Sequence, residues 1–490
     1  MIKSTITYLL LGLTSLSFAQ TLTGTLLSQD TKESIPFATV RITENYGVIT
    51  NTEGNFSIVV NQFTAKDSIE FSSMGFKTKR IAIGDFKNNQ DITLETAVNE
   101  LGEVFLKDQS LTGRELIDNF LKNKNKNYAT EANSYNIFIR NKYQTTYKDY
   151  GFELKKANYL NKKVEKNINT ELEALSKSVI GETSTYFTEK LVDFNYLNQD
   201  SVHLKPYRAI ELSSSTSNND VEEIQNRAFK KIFEKLENSN SFKVRTFIIP
   251  VADSLDLSGV NEQLKDQPDT LDVKSVSRSI KNTLNRYTFS NTLFEPLAEP
   301  DDYVFEIDEV TSFKNQMVYV VNYAPDRNRA KYKGKFYITA KDFAIVKLTQ
   351  QLAEGKSESK LNLKFLFGIK FDAYLNTKEV TYFKTENGTY YPKYIKSINK
   401  QYFYLDRKFV FKENNDDRSE RLKFKLEILA EADNTNESEL FVVNQRQLSV
   451  EDYSLLKEAK PMIIEQFKNY SPEIWKNQNV LEATKEIKTY

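Results

Sequence analysis

Catalysis at neutral pH needs nucleophiles, bases or metal ligands brought together, and this chain of 490 residues is poor in such groups. It has no cysteine and one histidine, His203, within "DSVHLKPY". Without a second histidine or any thiolate, neither an H-E-x-x-H zinc site nor a Cys/His pair exists, and His203 is expected as a surface residue beside a strand. Gly355-Lys356-Ser357 has the ending of a phosphate-binding loop. Gln350, however, stands where its first glycine is required, and no strand-loop-helix unit surrounds it. Ser-x-x-Lys occurs at Ser357/Lys360, Ser397/Lys400 and Ser454/Lys457 without the companion motifs of the serine acyl-enzymes. Acidic clusters at 299–302, 414–417 and 431–439 lack the spacing and glycine of a calcium loop and read as solvated turns. Carboxylate pairs for glycoside hydrolysis stay open, because 67 acidic residues supply many pairs. No catalytic, cofactor-binding or metal-binding residue is assigned, no cofactor is expected, and the chain is read as a non-enzyme.

The elements that would position any site begin after an export signal. "MIKSTITYLLLGLTSLSFAQ" has Lys3 as its basic start, an apolar run from Ile6 to Leu16, and small residues Ser17 and Ala19 at the cleavage positions. A mature chain starting at Gln20 is expected, with no later run long enough for a membrane helix. Basic and acidic residues balance at 67 each, so there is no electrostatic footprint for nucleic acid. The apolar content, 39%, is enough for real cores, and the length predicts several domains.

Residues 20–95 read as short strands separated by turns, the pattern of a small β-sandwich. Ala38, Val40 and Ile42 alternate in one; Ile69 with Phe71, Ile81 with Ile83, and Ile92 with Leu94 mark others. "GVITNTEGNFSIVV" (47–60) reads as a hairpin whose Gly54 takes positive φ. Gly24, "IPFATVRI", "GVITNTEGNFSI" and "SSMGFKT" resemble the carboxypeptidase-regulatory-like domain, a transthyretin-like sandwich common in exported and outer-membrane proteins of Bacteroidota. The resemblance implies an Ig/transthyretin-like β-sandwich, with the glycines and aromatic residues structural. "LGEVFL" (101–106) resembles the short strand that follows this sandwich in TonB-dependent receptors. The remaining chain is too short for their plug and barrel.

Beyond a linker at 96–110, Thr112 and Glu115 form a capping-box pair ahead of Leu116, Ile117, Phe120 and Leu121, which predicts a helix. A strand follows at 134–144, with Tyr135, Ile137 and Ile139 on one side. The mixed region 111–290 also holds a predicted amphipathic helix at 221–236. From 291 to 449 the alternation predicts a large curved antiparallel sheet packed by helices. Leu361, Leu363, Phe365, Phe367, Ile369 and Phe371 are expected as one apolar stripe, and Leu422, Phe424, Leu426 and Ile428 as another. Asn387-Gly388 marks a hairpin, and 332–348 a second. The region resembles uncharacterised Bacteroidota envelope proteins and, more distantly, the half-barrel of periplasmic lipoprotein carriers. A C-terminal helical tail (450–490), broken at Ser471-Pro472 and anchored by Trp475, completes a mainly β chain with an α+β C-terminal part.

These readings point to an exported envelope protein of the periplasm or outer-membrane face, with a protein or glycan partner. An apolar ligand on the aromatic sheet face is the alternative, and a carboxylate-based hydrolase the second alternative. At least one helix, 111–122 or 221–236, is expected across the apolar stripes.

Overall fold

The structure is a computed structural model that describes residues 21–44, 46–97, 111–128, 132–213, 232, 241–246, 249–256, 269–290, 293–313, 316–457 and 459–490. The expected signal segment, "LGEVFL", most of the linker and all of the helix expected at 221–236 except Ile232 lie outside the described residues.

The first strands are β1 (Thr21–Ser28), β2 (Thr39–Thr43), β3 (Tyr46–Ile49), β4 (Asn55–Val59), β5 (Ser68–Ser72), β6 (Lys79–Ala82) and β7 (Gln90–Leu94). They make two sheets, β4-β1-β7 and β3-β2-β5-β6. Alternation sends Leu22, Leu26, Phe56, Ile58, Ile69, Phe71, Ile92 and Leu94 into the core between them, which is the expected sandwich. Gly54 has φ 77°. Residues 47–60 are nevertheless not a hairpin, because β3 pairs with β2 and β4 with β1. The Asn51 side chain explains the parting. Its Oδ1 accepts from the Glu53 and Asn55 amides, both at 2.9 Å, so the turn is closed locally and its arms enter opposite sheets.

The helices and strands that follow are α1 (Gly113–Asn127), β8 (Asn133–Lys155), α2 (Lys162–Lys177), β9 (Thr183–Tyr196), β10 (Val202–Ser213), β11 (Phe242–Thr246), β12 (Ile249–Leu255), α3 (Val273–Tyr287) and α4 (Glu295–Ala298). Next come β13 (Tyr303–Phe313), β14 (Gln316–Pro325), β15 (Tyr332–Thr339), β16 (Ile345–Leu352), β17 (Lys360–Leu363), α5 (Lys364–Phe367), β18 (Ile369–Lys384), β19 (Tyr390–Glu413) and β20 (Lys423–Gln447). The chain closes with α6 (Val450–Ser454), β21 (Glu465–Phe467) and α7 (Lys485–Lys488).

Strands β8 to β21 form one large curved sheet, in the order β13-β14-β15-β16-β18-β19-β20-β8-β9-β10-β21. β17 pairs with β18, and the β11–β12 hairpin lies on the far part of β19. The expected hairpins are present: β15 pairs with β16, and Thr385 closes on Thr389 around Gly388, at φ 85°. The capping box of α1 is also formed.

Four expectations need correction. Residues 361–371 are not one strand: Gly368 takes φ 58° and folds them into the β17–α5–β18 hairpin, with Leu361 opposite Phe371 and Leu363 opposite Ile369. That stripe is not buried, and Phe365 is 98% exposed. β8 is covered on both faces, since Phe138 and Arg140 are as buried as Ile137. His203 lies within β10 rather than beside a strand, half-buried, with its Nε2 bonded to the Lys457 carbonyl at 2.6 Å. The tail before Ser471-Pro472 has one short helix, α6, and then β21; residues Pro472–Trp475 form a 3-10 turn.

One face of the sheet packs α1 and α3 over Ile137, Val192, Ile395, Leu440 and Val442. Further along the strands, α2 and Ile232 cover Phe424, Leu426 and Phe152. A residue of the helix expected at 221–236 therefore does lie on the 422–428 stripe. The opposite face, with Phe138, Leu191, Tyr394 and Phe441, is covered by Ile474, Trp475, Leu481 and Ile487 of the tail.

Candidate functional site

Side chains alternate across a strand, so even-numbered residues of β20 share one face along its unbroken register with β19. From one end that face reads Val442 and Leu440, then Ser438, Asn436 and Asn434, then Ala432, Ala430, Ile428, Leu426 and Phe424. Strand β19 repeats the order: Ile395, then Ser397, Asn399 and Gln401, then Phe403. Strand β8 does so again, with Ile139, then Asn141, Tyr143 and Thr145, then Tyr147. Register lines these residues up. Lys378 opposes Ser397, Ser397 opposes Ser438, Ser438 opposes Asn141 and Asn141 opposes Thr188. The next row runs Asn376, Asn399, Asn436, Tyr143, Tyr186. A strip of amides and hydroxyls thus crosses the sheet between two apolar cores.

Helix α3 roofs one side of the strip. Asp272 caps it by accepting from the Ser275 amide at 3.0 Å. Its Ile280, Leu284 and Tyr287 enter the apolar core. Ser275, Ser279, Thr283 and Arg286, spaced by three and four, face the strip instead. Between helix and sheet lies a cavity of about 610 Å³, well within the size range of small-molecule sites.

The cavity is cationic. Lys190, Arg286 and Lys378 line it together with one carboxylate, Glu358. Burial pushes the Lys378 ammonium below its ordinary 10.5, with Arg286 adding to the shift and Glu358 opposing it. Burial likewise lowers Lys190, whose nitrogen reaches Thr188 Oγ1 at 3.2 Å. Glu358 is held by Asn376, whose Nδ2 donates to Glu358 Oε2 at 2.8 Å and to Asn399 Oδ1 at 2.7 Å. The Asn376 side-chain carbonyl, on a residue 2% exposed, has no hydrogen-bond partner among the described residues. Buried polar atoms are ordinarily paired, so this acceptor is an exception within the strip.

A family model of the CarboxypepD_reg-like domain matches residues 22–106. The first 22–97 of these carry the sandwich. A search of the curated proteins finds no match to the chain. Among solved structures, an outer membrane lipoprotein-sorting protein domain from Vibrio parahaemolyticus aligns at 9% identity over 70% of this chain and 97% of its own, with a TM-score of 0.21. A LolA superfamily protein from Nitrosomonas europaea aligns at 9% identity over 71% and 99%, with a TM-score of 0.19. Superpositions this loose carry no argument about the large sheet.

The described residues of the CarboxypepD_reg-like domain do not line the cavity; they meet the sheet on the opposite face, where Phe37 stacks on Tyr394 at 4.6 Å. Of the candidate chemical residues weighed in the sequence, Ser397 alone lies at the cavity among the described residues. Ser357 bonds to Asp372 at 2.6 Å and Lys360 pairs with the same carboxylate at 3.0 Å. Asp302 of one acidic cluster holds Arg329, while Glu431 and Glu439 of another accept from Tyr402 and Tyr394. Trp475 is the anchor expected, donating its indole N–H to Glu189. Lys190, Arg286, Asn376 and Lys378 escaped sequence reading because no local motif joins them. The available signal was the run of polar residues at the inward positions of 141–145, 397–401 and 434–438.

Proposed function

We propose that this is an exported, non-catalytic protein of the cell envelope that binds an acidic glycan over the polar strip beneath α3. The carrying observation is the composition of that cavity. Amides and hydroxyls from four neighbouring strands match a hydroxyl-rich ligand, and three cations that make no ion pair among the described residues outnumber the one carboxylate that lines it among them. An apolar ligand on the 422–428 stripe is disfavoured, because Phe424 and Leu426 are buried under α2 and Ile232. A hydrolase would bring two carboxylates together with raised pKa values. Among the described residues the cavity has only Glu358, which supports a binding role. Titration calorimetry of the full chain with uronic-acid oligosaccharides, against neutral ones of equal length, tests the proposal. Binding of the acidic series alone is expected. Equal affinity for both, no binding of either, or slow release of cleaved products would refute it.

A further inference from the structure

The β17–α5–β18 hairpin, whose β18 gives Asn376 and Lys378 to the proposed cavity, ends in an apolar tip that the cavity does not use. Phe365 is 98% exposed and Leu366 68% exposed, beside Leu361 at 46%. These side chains are held outward by a braced turn. The Gly368 amide bonds to the Lys364 carbonyl at 2.9 Å, and the Gly368 carbonyl accepts from the Asp406 amide of β19 at 2.8 Å. A Cβ on Gly368 would stand 2.1 Å from the Asp406 carbonyl oxygen, so the turn packs flush against β19 and cannot fold inward over its own apolar residues.

Cations lie just behind the tip. Lys364 sits over the Tyr404 ring at 3.7 Å, Lys370 over Tyr402 at 4.8 Å, and Arg407 over Phe367 at 5.7 Å. None of the three makes an ion pair among the described residues. Apolar side chains outermost, with a layer of tyrosines and unpaired cations behind them, match the order of a bilayer interface from acyl chains to phosphates. We infer that the tip, centred on Phe365 and Leu366, docks the protein onto the surface of an anionic phospholipid leaflet, shallowly and reversibly.

Flotation of the full chain with vesicles of phosphatidylethanolamine and phosphatidylglycerol, against phosphatidylcholine alone, tests this. Partition into the anionic vesicles should fall as salt rises. Phe365→Ser with Leu366→Ser should cut it by about tenfold or more. Lys364→Glu should weaken it several-fold and erase the preference for anionic lipid. All three side chains are exposed, so unchanged melting temperatures are expected, and Lys364→Glu separates loss of charge from loss of apolar contact. Failure of the unaltered chain to float, full partition by the double variant, or a lipid-free dimer that depends on Phe365 would overturn the inference.

Discussion

Lys378 lies beneath α3 with its ammonium partly stripped of water, and the nearby Arg286 adds repulsion. Because its folded pKa is lowered, the unfolded chain binds more protons across the interval up to 10.5. Folding stability therefore rises with pH through that interval, and the charged lysine is a burden on the empty protein at neutral pH. Lys378→Met should accordingly raise the melting temperature at pH 7 and flatten its rise toward alkaline pH. The same change should weaken an acidic oligosaccharide by about tenfold or more, through loss of a charge-assisted contact. Scanning calorimetry and titration calorimetry on one sample check both. If affinity is kept while stability rises, Lys378 is a packing residue and the cavity lies elsewhere.

Turns decide the elements. Gly54 holds φ 77° with the Leu26 carbonyl only 2.7 Å from where a Cβ would stand. Gly54→Val should cost more than about 1 kcal/mol, measured by urea unfolding of the full chain; an unchanged midpoint would mean the arch tolerates a side chain. Such glycines also mark how far the sequence could be read. At Gly388 the neighbours are polar, and the hairpin between β18 and β19 was legible. At Gly368 they are Phe365, Leu366 and Phe367, so alternation runs through the turn and one strand is read where two exist. Thr112 and Glu115 announced α1 because a capping box is local. Helices α2 and α3 were not distinguished, since α3 divides its surface between an apolar core and a polar cavity and lacks a single clean stripe. The site itself was hidden for a related reason: Lys378, Ser397, Ser438 and Asn141 are neighbours only through the register of four strands.

The molecule is joined across its opposite face by a buried polar chain. Arg140, 4% exposed in its side chain, pairs with the fully buried Glu189 and donates to the Leu481 and Glu482 carbonyls of the tail at 2.9 and 3.1 Å. Glu189 also accepts from the Trp475 indole, and Glu439 accepts from Tyr394 at 2.6 Å, on whose ring Phe37 of the CarboxypepD_reg-like domain stacks. Asn51, in the arch of that domain, donates to the Ala483 carbonyl at 3.2 Å. Arg140 also lies 3.9 Å from Glu439, so sheet, tail and sandwich meet around one Arg140–Glu189–Glu439 cluster. Removing one partner of a buried pair leaves a charge that water cannot reach, at a cost of about 3–5 kcal/mol. Glu189→Ala should destabilise the full chain by about 3 kcal/mol, the lower end of that range, because Glu439 at 3.9 Å still offsets part of the Arg140 charge. Trp475 is the chain's one tryptophan, so its emission reports the tail directly. The emission should move to the red before the main unfolding transition, because the indole loses its acceptor and the tail lifts from Phe138 and Leu191. Replacing both charges, with Arg140→Met and Glu189→Leu, should recover part of the stability, since the Arg140 guanidinium is no longer left buried without Glu189. The tail carbonyls would still lack their donors, and the red shift should persist in part. Unchanged emission and melting in Glu189→Ala would show that apolar packing alone holds the tail.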